Sequence, residues 1–197
     1  MEKSLGYDYD IFFSYKRHPK TDPWFLALVE NLEPWISHEL HREASIFIDQ
    51  EDIKTGAKWR RKISESLKKS RCIVCIWSPL YFESKWCVAE WESFVQRCQL
   101  FNCELIVPAR YFDGQHYPDL AKDVESRDFS HYTSLSPRFW DSELFLEFEQ
   151  KHLKDFAGEV ADAVKSAPPY SDEFPIVQDP DDRFMIPRTK IGRPADD

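Results

Sequence analysis

Four short apolar runs punctuate this sequence: YDIFFSY (9–15), SIFID (45–49), RCIVCIW (71–77) and ELIVPA (104–109). Each is short, rich in β-branched or aromatic residues, and reads as a strand buried on both faces. The stretches between them carry helical spacing. Asp22 and Pro23 suit a helix start, and Trp24, Leu28, Leu32, Trp35 and Ile36 follow at helical intervals, with Pro34 expected to kink or split that helix. Trp59, Ile63 and Leu67 mark a second helix, and residues 80–99 a third. RDFSHY (127–132) reads as a weak last strand. A final helix is expected from near Asp141 to about Val164, with Phe145, Leu146, Leu153, Phe156, Val160 and Val164 on one face. Strand alternating with helix predicts an α/β domain with a parallel sheet covered on both sides and joined by right-handed crossovers.

In such sheets ligands bind outside the carboxyl ends of the strands. That rule gathers Ser14–Arg17, Asp49 with the loop after it, and Ser78–Phe82 along one edge. The chain has 197 residues and a 42% hydrophobic fraction, enough for one domain with a sizeable core plus a tail. Its net charge of −9 argues against non-specific binding to nucleic acid or an anionic membrane. The acidic, non-apolar N-terminus does not read as a secretory signal, and no run is long enough to span a bilayer. Five irregularly spaced cysteines read as reduced thiols of a cytoplasmic protein. Cys72 and Cys75 form a C-x-x-C within a strand and read as core residues.

Several chemistries lack their residues. With five glycines there is neither a G-x-G-x-x-G turn nor a Walker A loop. His38 and His41 lack the frame of a zinc helix, so no metal site is expected. No G-x-S-x-G elbow occurs. The basic run Lys58–Arg71 reads first as a solvated helix face, with an assembly surface as the alternative. Along SKWCVAEWESF (84–94) and the turn after it, Cys87, Val88, Trp91, Phe94, Val95 and Cys98 form an apolar stripe. Glu90 lies at its margin beside Trp86, whereas Glu92 falls roughly opposite, as a solvated glutamate would. By spacing alone Glu90 reads as a boundary charge paired with a lysine or a backbone amide; a half-desolvated working carboxylate is the alternative. Residues 166–197 hold six of the thirteen prolines and no periodicity. They read as a linker or docking arm, with a strap packed through Phe174, Ile176 and Phe184 as the alternative.

Over residues 8–165 the chain resembles the TIR (Toll/interleukin-1 receptor) domain family. YDIFFSYKR is similar to the family's first box, FIDQEDIKTGAKW to its second strand and BB loop, and ISESLKKSRCIVCIWSPLYFESKWCVAEW to the segment ending in W-C-x-x-E. Phe139 and Trp140 resemble the third box. The resemblance implies a flavodoxin-like, doubly wound, five-stranded sheet in the order 2-1-3-4-5, with the domain at 1–165 and a tail at 166–197. It implies an NAD+ glycohydrolase or cyclase in which Glu90 is catalytic and NAD+ is a substrate, with no cofactor. Tyr15, Lys16, Arg17, Asp49, Trp59 and Trp86 would bind the substrate, Trp59 by stacking on a base. Self-association would run through the BB loop, with Glu51, Asp52, Ile53, Lys54 and Gly56. Immune or antiphage signalling is the implied setting, and the tail could lead to a sensor domain or a separate partner. The competing reading is a non-catalytic adaptor acting through TIR–TIR contact; a nucleoside-processing transferase of related fold is a third.

Overall fold

The computed structural model describes residues 6–49 and 57–186. Five strands form one sheet in the order β2-β1-β3-β4-β5: β1 Tyr9–Tyr15, β2 Ile46–Ile48, β3 Ser70–Trp77, β4 Ile106–Arg110 and β5 Arg127–Asp128. Every neighbouring pair is parallel. β1 lies between β2 and β3, with Ile11 opposite both Ile46 and Cys72 and Ser14 opposite Cys75. The helices are α1 Asp22–Leu40, α2 Ala57–Lys68, the one-turn α3 Pro79–Phe82, α4 Lys85–Phe101, the one-turn α5 Asp119–Lys122, α6 Glu143–Phe148 and α7 Lys154–Lys165. The flavodoxin-like order implied by the resemblance is the order observed.

Side-chain alternation along β1 assigns the two faces. Tyr15 packs its ring on Phe25 of α1, 4.7 Å between centroids, while Ser14 reaches Glu90 of α4. Successive strand residues point to opposite faces, so α1 and α4 cover opposite sides of the sheet. Cys72 and Cys75 lie wholly inside, as core residues of β3.

Three local expectations are corrected. Helix α1 is not split at Pro34. Pro34 and Glu30, whose carbonyl loses its helical partner, are both exposed, so water replaces the missing bond. The helix expected over 80–99 is broken at Glu83–Ser84 into α3 and α4. Between α6 and α7, Glu149–Leu153 forms a π-helical turn. That turn resets the register: Phe145 and Phe148 before it and Leu153, Phe156 and Val160 after it are buried, and Leu146 is exposed.

The stretch 167–186 is a strap, and the linker expectation does not describe it. Tyr7 donates to the Pro168 carbonyl at 2.9 Å, Phe174 and Phe184 are buried, and Ile186 N donates to Phe82 O at 3.2 Å. Phe174 lies 4.1 Å from the guanidinium carbon of Arg97, which has Phe94 on it at 4.2 Å. Arg97 is fully buried, donates to the carbonyls of Ser70 and Leu67, and is pulled down to about 10 by burial. Two aromatic faces and two carbonyls hold this cation, and the strap supplies one of the faces. Among the described residues no helix is long and apolar enough to cross a membrane.

Candidate active site

Near the carboxyl end of β1, Ser14 Oγ donates to Glu90 Oε2 at 2.6 Å. The serine is the one polar residue in the buried part of β1 after Asp10, and a buried hydroxyl needs a partner. Glu90 lies on the second turn of α4, retaining a partly open surface while dense protein surrounds its carboxyl. Burial, the largest influence, raises the Glu90 carboxyl to about 7. The Ser14 hydrogen bond opposes that rise and the charge of Asp49 adds to it.

The hydrogen bonds continue inward. Ser14 Oγ is 2.9 Å from the Tyr81 hydroxyl, which lies 2.9 Å from the Cys87 carbonyl and donates to it. Two hydroxyl hydrogens must serve three contacts when Glu90 is ionised, because a carboxylate and a carbonyl only accept. A protonated Glu90 supplies the third hydrogen, and the chain then runs unbroken from carboxyl to Ser14, Tyr81 and the Cys87 carbonyl. Hydrogen counting and desolvation therefore favour the same protonated form. Tyr81 is fully buried and its hydroxyl is pushed well up, first by burial, so it stays neutral.

Asp49 and Trp59 form the far side of this edge. Trp59 Nε1 donates to Asp49 Oδ2 at 3.2 Å. The Trp59 ring meets Trp86 edge-on at 5.5 Å, and Arg60 lies over Trp86 at 5.1 Å. Trp86, expected at the substrate site, is 39% exposed and engaged with these two residues. Tyr15 points to the α1 face, where burial first, and then Asp22, raises its phenol to about 12. Arg17 lies 3.8 Å from Asp22. Lys16 is half-buried, and its charge opposes the burial that pushes the Cys87 thiol up to about 12. Glu51, Asp52, Ile53, Lys54 and Gly56 lie outside the described residues.

Sequence reasoning placed Ser14 and Tyr81 at this edge without assigning either a role in the site. The available signal was a serine inside an otherwise apolar strand and a tyrosine in Ser78–Phe82 at the same sheet edge. It also misplaced Glu92, which is buried: Glu92 Oε2 accepts from Asp181 N of the strap at 2.9 Å, and Ser93 Oγ accepts from Val177 N at 2.9 Å. The face of α4 opposite the stripe is thus covered by the strap instead of by water.

A model of the TIR domain matches residues 11–139. Among curated proteins the chain is similar to the probable 2′ cyclic ADP-D-ribose synthase TcpO of Methanobrevibacter olleyae, 31% identical over 86 residues that make up 44% of this chain and 23% of that protein. The match thus spans less than a quarter of that relative's length. Among solved structures it is similar to the TIR domains of the activated Roq1 resistosome directly recognizing the pathogen effector XopQ, at 17% identity over 80% of this chain and 84% of that one, with a TM-score of 0.42.

Proposed function

The chain belongs to the TIR domain family, and from that premise we propose that it cleaves the nicotinamide–ribose bond of NAD+, with Glu90 as the catalytic carboxylate. The observation that carries this reading is the Ser14–Glu90 contact at the sheet edge, which holds a carboxyl with a pKa of about 7 beside Asp49 and Trp59. Nicotinamide leaves from a cationic ring nitrogen and takes the bonding pair, so it departs neutral and needs no acid. This differs from ordinary glycosides, whose leaving oxygen must be protonated. One carboxylate is therefore enough. In its ionised form Glu90 accepts from the ribose hydroxyls and stabilises positive charge at C1′ as the bond breaks. Water then adds to C1′ and its proton passes to Glu90 or solvent, giving ADP-ribose; attack by an adenine nitrogen gives a cyclic product instead. A carboxyl poised near 7 suits such proton transfer at neutral pH.

Lys16 and Arg17 would face the diphosphate, and Trp59 and Trp86 the nicotinamide end. The name of the TcpO relative supports NAD+-derived chemistry. Self-association through the segment with Glu51–Gly56, a cytoplasmic setting, a role in defence signalling, and a sensor domain or partner reached through the tail belong to the same proposal.

The test is NAD+ consumption by concentrated protein. Glu90→Gln is expected to lose about 10²–10³-fold in turnover. Equal rates for the two proteins would remove Glu90 from the reaction, and no consumption by any assembled form would favour the adaptor reading.

A further inference from the structure

We propose that the cleft enclosed by the chain after β1, β3 and β4 is a binding site for a purine mononucleotide, and that in the proposed reaction it holds the adenylate half of NAD+. The inference rests on the NAD+ reading only in its second clause. The cleft has a volume of about 340 Å3 and is lined by Lys16, His18 and Thr21 after β1, Phe25 of α1, Ser78–Leu80 after β3, and Tyr111 and Phe112 after β4. That size lies within the range of small-molecule sites. Its place is the crevice where the strand order reverses between β1 and β3, outside the carboxyl ends of the strands.

The lining specifies the ligand's chemistry. Phe25 and Tyr111 pack together at 5.0 Å and form an aromatic wall. Leu80 and Phe112 at the rim are 50% and 53% exposed, a paired apolar surface open to a flat ring. No acidic residue lines the cleft. Lys16 makes no hydrogen bond or ion pair with any described residue, although it is half-buried. Asp22, close by in sequence, is occupied by the His18 amide at 2.6 Å and by Arg17. A ring between aromatic and aliphatic walls with an anion on a lysine is the signature of a base joined to a phosphate. Lys16 also acts on Cys87, one helical turn before Glu90. A diphosphate lying across Lys16 would therefore place one base in the cleft and the other ribose toward Glu90.

Two probes separate the clauses. AMP titrated into the intact chain is expected to bind and to shift the amide resonances of Tyr111 and Phe112, with Phe112→Ala and Leu80→Trp weakening binding at least about tenfold, the scale of one lost base–aromatic stack. In turnover, Phe112→Ala is expected to raise the KM for NAD+ about tenfold with kcat little changed, and to leave cleavage of nicotinamide mononucleotide unaltered, since that substrate has the same scissile bond and no adenylate. AMP binding that neither variant weakens would overturn the site, as would cleft variants that alter only the sedimentation of the protein. NAD+ cleavage that depends on Glu90 but is indifferent to both variants would overturn the adenylate assignment alone. If NAD+ is not cleaved at all, the enzymatic reading and the adenylate clause fail together, and the AMP titration still decides the first clause.

Discussion

Ser14 and Glu90 are 76 residues apart in sequence and 2.6 Å apart in space, joined by a hydrogen bond that connects β1 to α4. The serine also touches Tyr81, so the carboxyl ends a short buried chain of hydroxyls. This arrangement makes the ionisation of Glu90 depend on two buried hydroxyls.

The two hydroxyls should move that ionisation in opposite directions. Ser14 lowers the Glu90 pKa by donating to the carboxylate, so Ser14→Ala raises it above about 7. Tyr81→Phe removes two of the three contacts and one of the two hydrogens, leaves Ser14 to donate to the carboxylate alone, and lowers it. If the ionised form is active, the rising limb of the pH–rate profile shifts to higher pH in the first variant and to lower pH in the second. Limbs moving the same way would contradict the hydrogen count.

Asp49→Asn gives a third, independent shift. The Asp49 charge raises the Glu90 pKa, so its removal moves the limb to lower pH. The asparagine oxygen can still accept from Trp59, which keeps the Trp59 ring in place. An unshifted limb would mean that the two carboxylates are screened from one another.

Stability should carry the same ionisation with a defined sign. The folded pKa of about 7 lies above the ordinary glutamate value of 4.5, so the protein binds the proton more tightly than the unfolded chain does. The stability contribution is full below about 4.5 and is lost as pH rises through about 7. Glu90→Gln mimics the neutral form. It should therefore be about as stable as wild type at pH 4 and more stable by roughly 2–3 kcal/mol above pH 7, measured by denaturant unfolding at both pH values. A variant no more stable than wild type above pH 7 would show that the carboxyl is well solvated.

The strap should be part of the folding unit. Phe174→Ala uncovers Arg97 and Phe184→Ala removes a ring 4.9 Å from Trp91. Each is expected to cost about 3 kcal/mol in urea unfolding. Losses below about 0.5 kcal/mol, the scale of ordinary surface substitutions, would return this stretch to the status of a linker.

Alternation of apolar strands and amphipathic helices is a local property, which is why the α/β class was legible from YDIFFSY, RCIVCIW and their neighbours without any contact being known. The boxes around SYKR and W-C-x-x-E pointed to Glu90 by resemblance, whereas helix spacing alone left it a boundary charge. What only the tertiary structure decided is which groups meet. The parallel register sets Ser14 opposite Cys75 and brings β1 and β3 to the same edge, where Tyr81 and Glu90 close on the serine. The strap turns Glu92 from an apparent surface charge into a buried acceptor. Periodicity tells which side of an element avoids water, but a hydrogen bond of 2.6 Å depends on how separate elements are registered and stacked. That information is distributed over the whole core and is held by no single stretch of the chain.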